Sequence, residues 1–133
     1  MHRRPKRGEI WWHDPDYVLP GSVYNGDRPV IIVGNPLGNA TSPTILVVPC
    51  TAEPKRKMAT HVEFMMNGIL NTAMAEQVRP VPINHLTNYK ATLPSSIVEK
   101  VDKALITAFY LNKYMKGGDT NNGVDKGERT ETY

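Results

Sequence analysis

The chain has 133 residues, 40% of them hydrophobic and 22% charged, with a formal net charge of +3. That length supports one ordinary domain with a real core. No run of about 18 apolar residues exists, which excludes a membrane-spanning helix, and the single cysteine, Cys50, excludes an internal disulfide.

The chain opens on a basic arm over 1–7, where Arg3, Arg4, Lys6 and Arg7 cluster. No apolar signal core follows it, so with one cysteine a reducing cytoplasm is the expected location. Such a cluster can follow a phosphate backbone, and a solvated terminus explains it equally well. EIWW at 9–12 reads as a first strand, in which one tryptophan faces inward and its neighbour outward. Residues 14–27 hold Pro15, Pro20, Gly21, Asn25 and Gly26 and read as a long polar loop. A second strand is expected at 28–34: Pro29 extends Arg28, and Val30 to Val33 suit burial on both faces. Residues 35–43, marked by Pro36, Gly38 and Asn39, read as a loop.

TILVVPC at 44–50 predicts a third strand, with Pro49 pointing to an edge or a bulge. A basic loop over 51–60 carries Lys55, Arg56 and Lys57. The apolar runs 61–66 and 69–74 flank Asn67-Gly68, a strong two-residue hairpin signal. A short strand is expected at 77–81. One helix comes last: Ser96 with Glu99 fits a capping box, and Ile97, Val101, Ala104, Leu105 and Ala108 recur at helical spacing toward Phe109 and beyond. Lys113 and Lys116 suit its C-terminal dipole. Residues 117–133 carry almost no apolar side chains and are expected to form a flexible tail. Five or six short strands and one helix predict a small, strongly bent antiparallel sheet capped by a helix.

Six stretches in series, RGEIWW, GDRPVIIVGN, SPTILVVPCT, THVEF, EQVRPV and KVDKAL, resemble the MazF/PemK family of toxin ribonucleases, over roughly residues 7 to 115. The resemblance implies a toxin domain over 8–116 and a mainly β fold, a Src-homology-3-like antiparallel barrel capped by a C-terminal helix. It also implies a homodimer that cleaves single-stranded RNA at short sequences with no metal or other cofactor. The further partner implied is a small acidic antitoxin, MazE-like, whose disordered end occupies the RNA groove.

Arg28 and Thr51 are the catalytic pair implied by the family's arginine–proline motif and its threonine. Arginine is planar, permanently charged and able to hold two phosphate oxygens, while a surface ion pair is the structural alternative. Thr51 can donate its hydroxyl to a phosphate oxygen, or merely close a turn. RNA contacts are expected from Ser22, Tyr24 and Asn25 beside Arg28, since unstacked bases need aromatic faces and edge hydrogen bonds. Lys55, Arg56, Lys57 and Arg79 add charge. Glu76 stands near the family's second arginine motif, as a substrate contact, a base or a barrel-stabilising carboxylate.

His61 has the chemistry of a general acid or base, or it orients its loop by hydrogen bonding. Many relatives carry an acidic residue in the loop before the arginine. Here the loop reads Ser22-Val23-Tyr24, so no general base is identified. No metal-ligand spacing is present. That missing acid keeps a second reading open, a non-catalytic toxin of the same fold that binds a protein target such as DNA gyrase.

Overall fold

The computed structural model describes residues 3–15 and 28–115 of the chain. The expected RNA contacts Ser22, Tyr24 and Asn25, Lys116 and the tail 117–133 lie outside the described residues. Among the described residues, seven strands form one bent antiparallel sheet: β1 (Glu9–His13), β2 (Arg28–Ile32), β3 (Thr44–Thr51), β4 (His61–Met66), β5 (Ile69–Met74), β6 (Arg79–Pro82) and β7 (Leu86–Thr92). The order is β4-β5-β3-β2-β1-β7, and β6 pairs with β3 off that path. A short helix α1 (Pro36–Thr41) follows β2, and helix α2 (Ser95–Ala108) packs on one face. This is the β half-barrel with a C-terminal helix that the strand pattern implies.

Strict alternation along β2 and β3 fills two cores. Ile31, Val48 and Cys50 join Val62, Phe64, Val101 and Ala104 beneath α2. Val30, Ile32 and Val47 join Trp11, Val81 and Leu86 on the opposite face. Burial on both faces explains the near-continuous apolar runs of these two strands. Trp11 is the inward tryptophan, and half-buried Trp12 lies 5.7 Å from the Lys90 ammonium. The hairpin β4–β5 turns on Asn67 (φ 53°) and Gly68 (φ 78°), both left-handed, as a type I′ turn demands.

Four local expectations are corrected. Residues 36–41 are helical rather than a loop: Asn35 caps the start by accepting the Gly38 N–H at 2.8 Å, and Pro36 stands at the first turn, where it needs no N–H. The capping box is absent, because the N-cap is Pro94, two residues before Ser96, with no side-chain cap. That helix also ends at Ala108 rather than running past Phe109. Tyr110 (φ 61°) donates to the Thr107 carbonyl, and the Leu111 N–H returns to Ile106, which is the double closure of a Schellman ending. Lys113 therefore sits in a separate 3-10 turn, Asn112–Tyr114.

Pro49 is not on an edge strand, since β3 is central. It falls where β3 changes neighbour, from β6 (up to Val47) to β5 (from Cys50), so the irregularity is real although the edge is not. The sequence pattern also predicts no strand at 86–92. There β7 completes the sheet against β1 with a single buried residue, Leu86, too few for apolar alternation to register.

The N-terminal cations are not a solvated arm. Arg3 forks onto the buried Glu9 carboxylate at 2.6 Å, which also accepts the Lys6 backbone N–H and the Trp11 indole N–H. Arg4 donates to the Asn39 and Ser42 carbonyls, and Arg7 pairs with Asp102 at 2.8 Å.

Candidate active site

Arg28 opens β2 and Thr51 closes β3, so strand polarity alone carries both to one end of the sheet. Val30 pairs with Pro49. The paired register ends there; its direction points Arg28 toward the Thr51 end of β3, where its charge acts on the neighbouring Cys50. On the other side of β2, Arg28 stands opposite His13. Thr51 in turn pairs with Thr72, and Thr72 with Glu63. Cross-strand partners project from the same face. A row His13–Arg28–Thr51–Thr72–Glu63 therefore runs along one rim, on the face of the Trp11 core.

Arg28 and Thr51 are half-buried, between the closed core and solvent. The Thr51 hydroxyl oxygen accepts the Glu53 N–H at 3.1 Å, a local turn that leaves its proton available to an incoming oxygen. Cys50, one residue back, points into the core beneath α2. Burial pushes its thiol far above the ordinary range, with Arg28's charge drawing it partly back, so it is no nucleophile.

The basic loop is fixed by a clamp. His61 Nδ1 lies 3.0 Å from the Arg56 carbonyl and Nε2 lies 3.1 Å from Glu76. Glu76, in the 3-10 turn Ala75–Gln77, also accepts the Thr60 hydroxyl at 2.8 Å. Burial of Glu76 pushes its carboxyl upward. Its own backbone amide, His61 and Thr60 together outweigh that, leaving it below the usual 4.5. Both ring nitrogens of His61 and both oxygens of Glu76 are thus engaged within the protein.

Lys57 reaches Glu63 at 3.2 Å and Lys55 lies 4.0 Å from Glu53. Arg79 opens β6 opposite Val47, with its Nε 3.5 Å from the Gln77 carbonyl. It shares the face of the Arg28 row but lies four residues back along β3 from Thr51, about 13 Å at strand rise. Arg28 and Thr51 are thus carried to one end of the sheet, Lys57 approaches it through Glu63, and Arg79 is set apart.

One residue of the row, His13, carried little weight in the sequence. Its ring lies 5.5 Å from that of His85. The parity of the first strand, which puts His13 on the inward face of Trp11, was the signal that could have placed it.

A family model described as PemK-like, MazF-like toxin of type II toxin–antitoxin system matches residues 6–109. The chain is 35% identical over 108 residues to Endoribonuclease EndoA of Bacillus subtilis (strain 168), across 75% of this chain and 90% of that protein. Among solved structures, MazF from Deinococcus radiodurans superposes with a TM-score of 0.69 at 17% identity, over 82% of this chain and 99% of that one. An endoribonuclease in complex with its cognate antitoxin, from Mycobacterial species, gives 0.68 at 23% identity, over 80% and 96%.

Proposed function

The chain belongs to the PemK-like, MazF-like toxins of type II toxin–antitoxin systems, and from that premise we propose that it cleaves single-stranded RNA at the Arg28–Thr51 rim. What supports the site is strand polarity and register, which direct these two residues toward one end of one face. In this reading the substrate's own 2′-hydroxyl loses its proton and attacks the adjacent phosphorus. The bond to the 5′-oxygen breaks and that oxygen takes up a proton. The products are a 2′,3′-cyclic phosphate and a 5′-hydroxyl, with no redox change and no water consumed.

The phosphorane in between carries extra negative charge. The Arg28 guanidinium holds two of its oxygens, and the Thr51 hydroxyl donates to one of them. Donors already in place cost no reorganisation when the charge develops, which usually makes this the largest single contribution. The non-catalytic, gyrase-binding alternative is not favoured, since the relatives above are themselves endoribonucleases.

An acidic antitoxin and a second copy of the chain complete the proposed assembly, in the cytoplasm. The apolar residues Phe109, Leu111, Tyr114 and Met115, all exposed beyond α2, support a self-association surface. No helix among the described residues is long and apolar enough to cross a membrane.

The test is cleavage of a mixed RNA pool in excess chelator, with the new ends mapped and their chemistry determined. Wild-type protein should leave cyclic phosphates at a short recurring sequence. Arg28→Ala should lower the rate by about a hundredfold or more, as removal of an oxyanion donor does, in a variant whose circular dichroism shows that it remains folded. Cleavage that survives the substitution refutes the assignment.

A further inference from the structure

A groove of about 480 Å³ separates the basic loop from α2. Lys55, Arg56 and Lys57 line one side and Lys100 and Lys103 the other, with Thr72 also in the wall. Lys100, Lys103 and Thr107 lie at helical spacing, so they form one stripe down α2 along the margin of the core-facing stripe that holds Ala104. Two of the loop cations have carboxylate partners, Lys57 with Glu63 and Lys55 with Glu53. Arg56, Lys100 and Lys103 have no ion pair among the described residues. Five cations against one carboxylate of the wall, Glu63, leave the cavity with an excess of positive charge that favours a polyanion there.

The groove lies next to the rim. Thr72, in its wall, pairs directly with Thr51 across β3 and β5, one strand spacing of about 5 Å. A strand whose phosphate sits at Arg28 and Thr51 thus meets the mouth of the groove a short way along its backbone. We propose that this groove is a second RNA subsite, in which Lys100 and Lys103 of α2 hold backbone phosphates flanking the scissile one. The inference rests on the reading that the chain cleaves RNA, and it adds the helix to a binding surface otherwise built from loops and strand ends. Lysine acts there as a point charge, so the subsite contributes affinity and substrate length preference rather than base recognition.

The experiment compares wild type with Lys100→Gln/Lys103→Gln on a dodecamer and on a trinucleotide containing the same cleavage site. Both lysines are exposed on the helix, and each single substitution carries the same readout should the pair unfold. On the dodecamer, KM should rise roughly tenfold with kcat held. The salt dependence of kcat/KM should become shallower by about 0.7 for each phosphate that the variant no longer neutralises. The effect should be smaller on the trinucleotide, and Lys100→Arg/Lys103→Arg should restore most of the wild-type KM. Lys113→Gln, outside the groove, should change nothing.

Equal effects on both substrates, or none on either, overturn the subsite while leaving the cleavage reading standing. Wild type that cuts neither RNA overturns both. If cleavage is untouched but binding of an oligoglutamate peptide weakens in the double variant, the groove takes an acidic peptide segment and the RNA assignment is wrong.

Discussion

Replacing His61 separates two roles that the residue type alone leaves open. Its imidazole is 8% exposed and bonds the Arg56 carbonyl at 3.0 Å and Glu76 at 3.1 Å. A neutral ring carries one N–H and fills one of these bonds as donor, whereas the imidazolium fills both. A bond to a neutral carbonyl contributes about 1 kcal/mol and one to a carboxylate about 2 kcal/mol. Glu76 is a third exposed and regains water when the ring is removed, which discounts the second figure. The expected cost of His61→Ala is therefore about 2 kcal/mol, or roughly 6–10 °C in Tm for a domain of this size.

The two side chains touch, so their substitutions should not add. A double-mutant cycle with Glu76→Gln should return a coupling of about 1 kcal/mol. The pH dependence has a definite sign. Glu76 is held below its usual 4.5 in the folded protein, so its contribution is present above that value and fades as pH falls through the lower, folded one. Wild type should lose more stability than Glu76→Gln as pH falls below 4.5.

Unfolding in urea at several pH values measures both quantities. Activity then decides the role. A clamp that positions Lys55–Lys57 predicts a raised KM on long RNA. A proton-transfer group predicts a loss of about a hundredfold or more in kcat and a vanished limb of the pH–rate profile. A coupling near zero, or the kcat loss in a variant that remains folded, refutes the reasoning.

Two further outcomes test the frame around the site. Arg3→Ala removes the fork on buried Glu9, and thermal unfolding should register a loss of about 2 kcal/mol; the Lys6 and Trp11 donors that remain keep it below the cost of fully orphaning a buried charge. A solvated arm predicts no change at all. Gly68→Ala meets no steric obstacle, since nothing lies within 4 Å of the added carbon. Yet it forces φ near 78° on an L-residue and should cost about 1 kcal/mol in denaturant unfolding.

The fold was legible wherever pairing and burial leave a period-two or period-3.6 imprint. The hairpin at 61–66 and 69–74 matches β4 and β5 residue for residue, because Asn-Gly fixes the register and both arms have a buried face. Where an element rests on other forces, the pattern is silent. Strand β7 buries one residue and is held by backbone pairing to β1. Helix α1 is made of Pro36, Gly38 and Asn39, which read as turn formers until Asn35 is seen to cap them and Asn39 to bond the Gly34 carbonyl at 2.9 Å. Charge was misleading at the N-terminus for a related reason. A basic cluster says nothing about whether a carboxylate and two carbonyls wait inside the fold.

The site divides along the same line. Arg28 and Thr51 were found as residue types beside motifs, but their convergence on one end of the sheet depends on β2 and β3 running antiparallel with Val30 against Pro49. Once that register is fixed, the remaining neighbours follow without further assumption: His13 on one side, Thr72 and Glu63 on the other. Alternation then places His13, Arg28 and Thr51 on the face opposite α2, while Thr72 and Glu63 also line the groove beside that helix. Yet the basic loop, clamped through His61 to Glu76, leaves a groove that reaches from Thr72 at this rim to the lysines of α2. A phosphate chain anchored at Arg28 therefore has a charged route around the edge of the sheet. The helix that closes the larger core also presents positive charge to whatever follows that route.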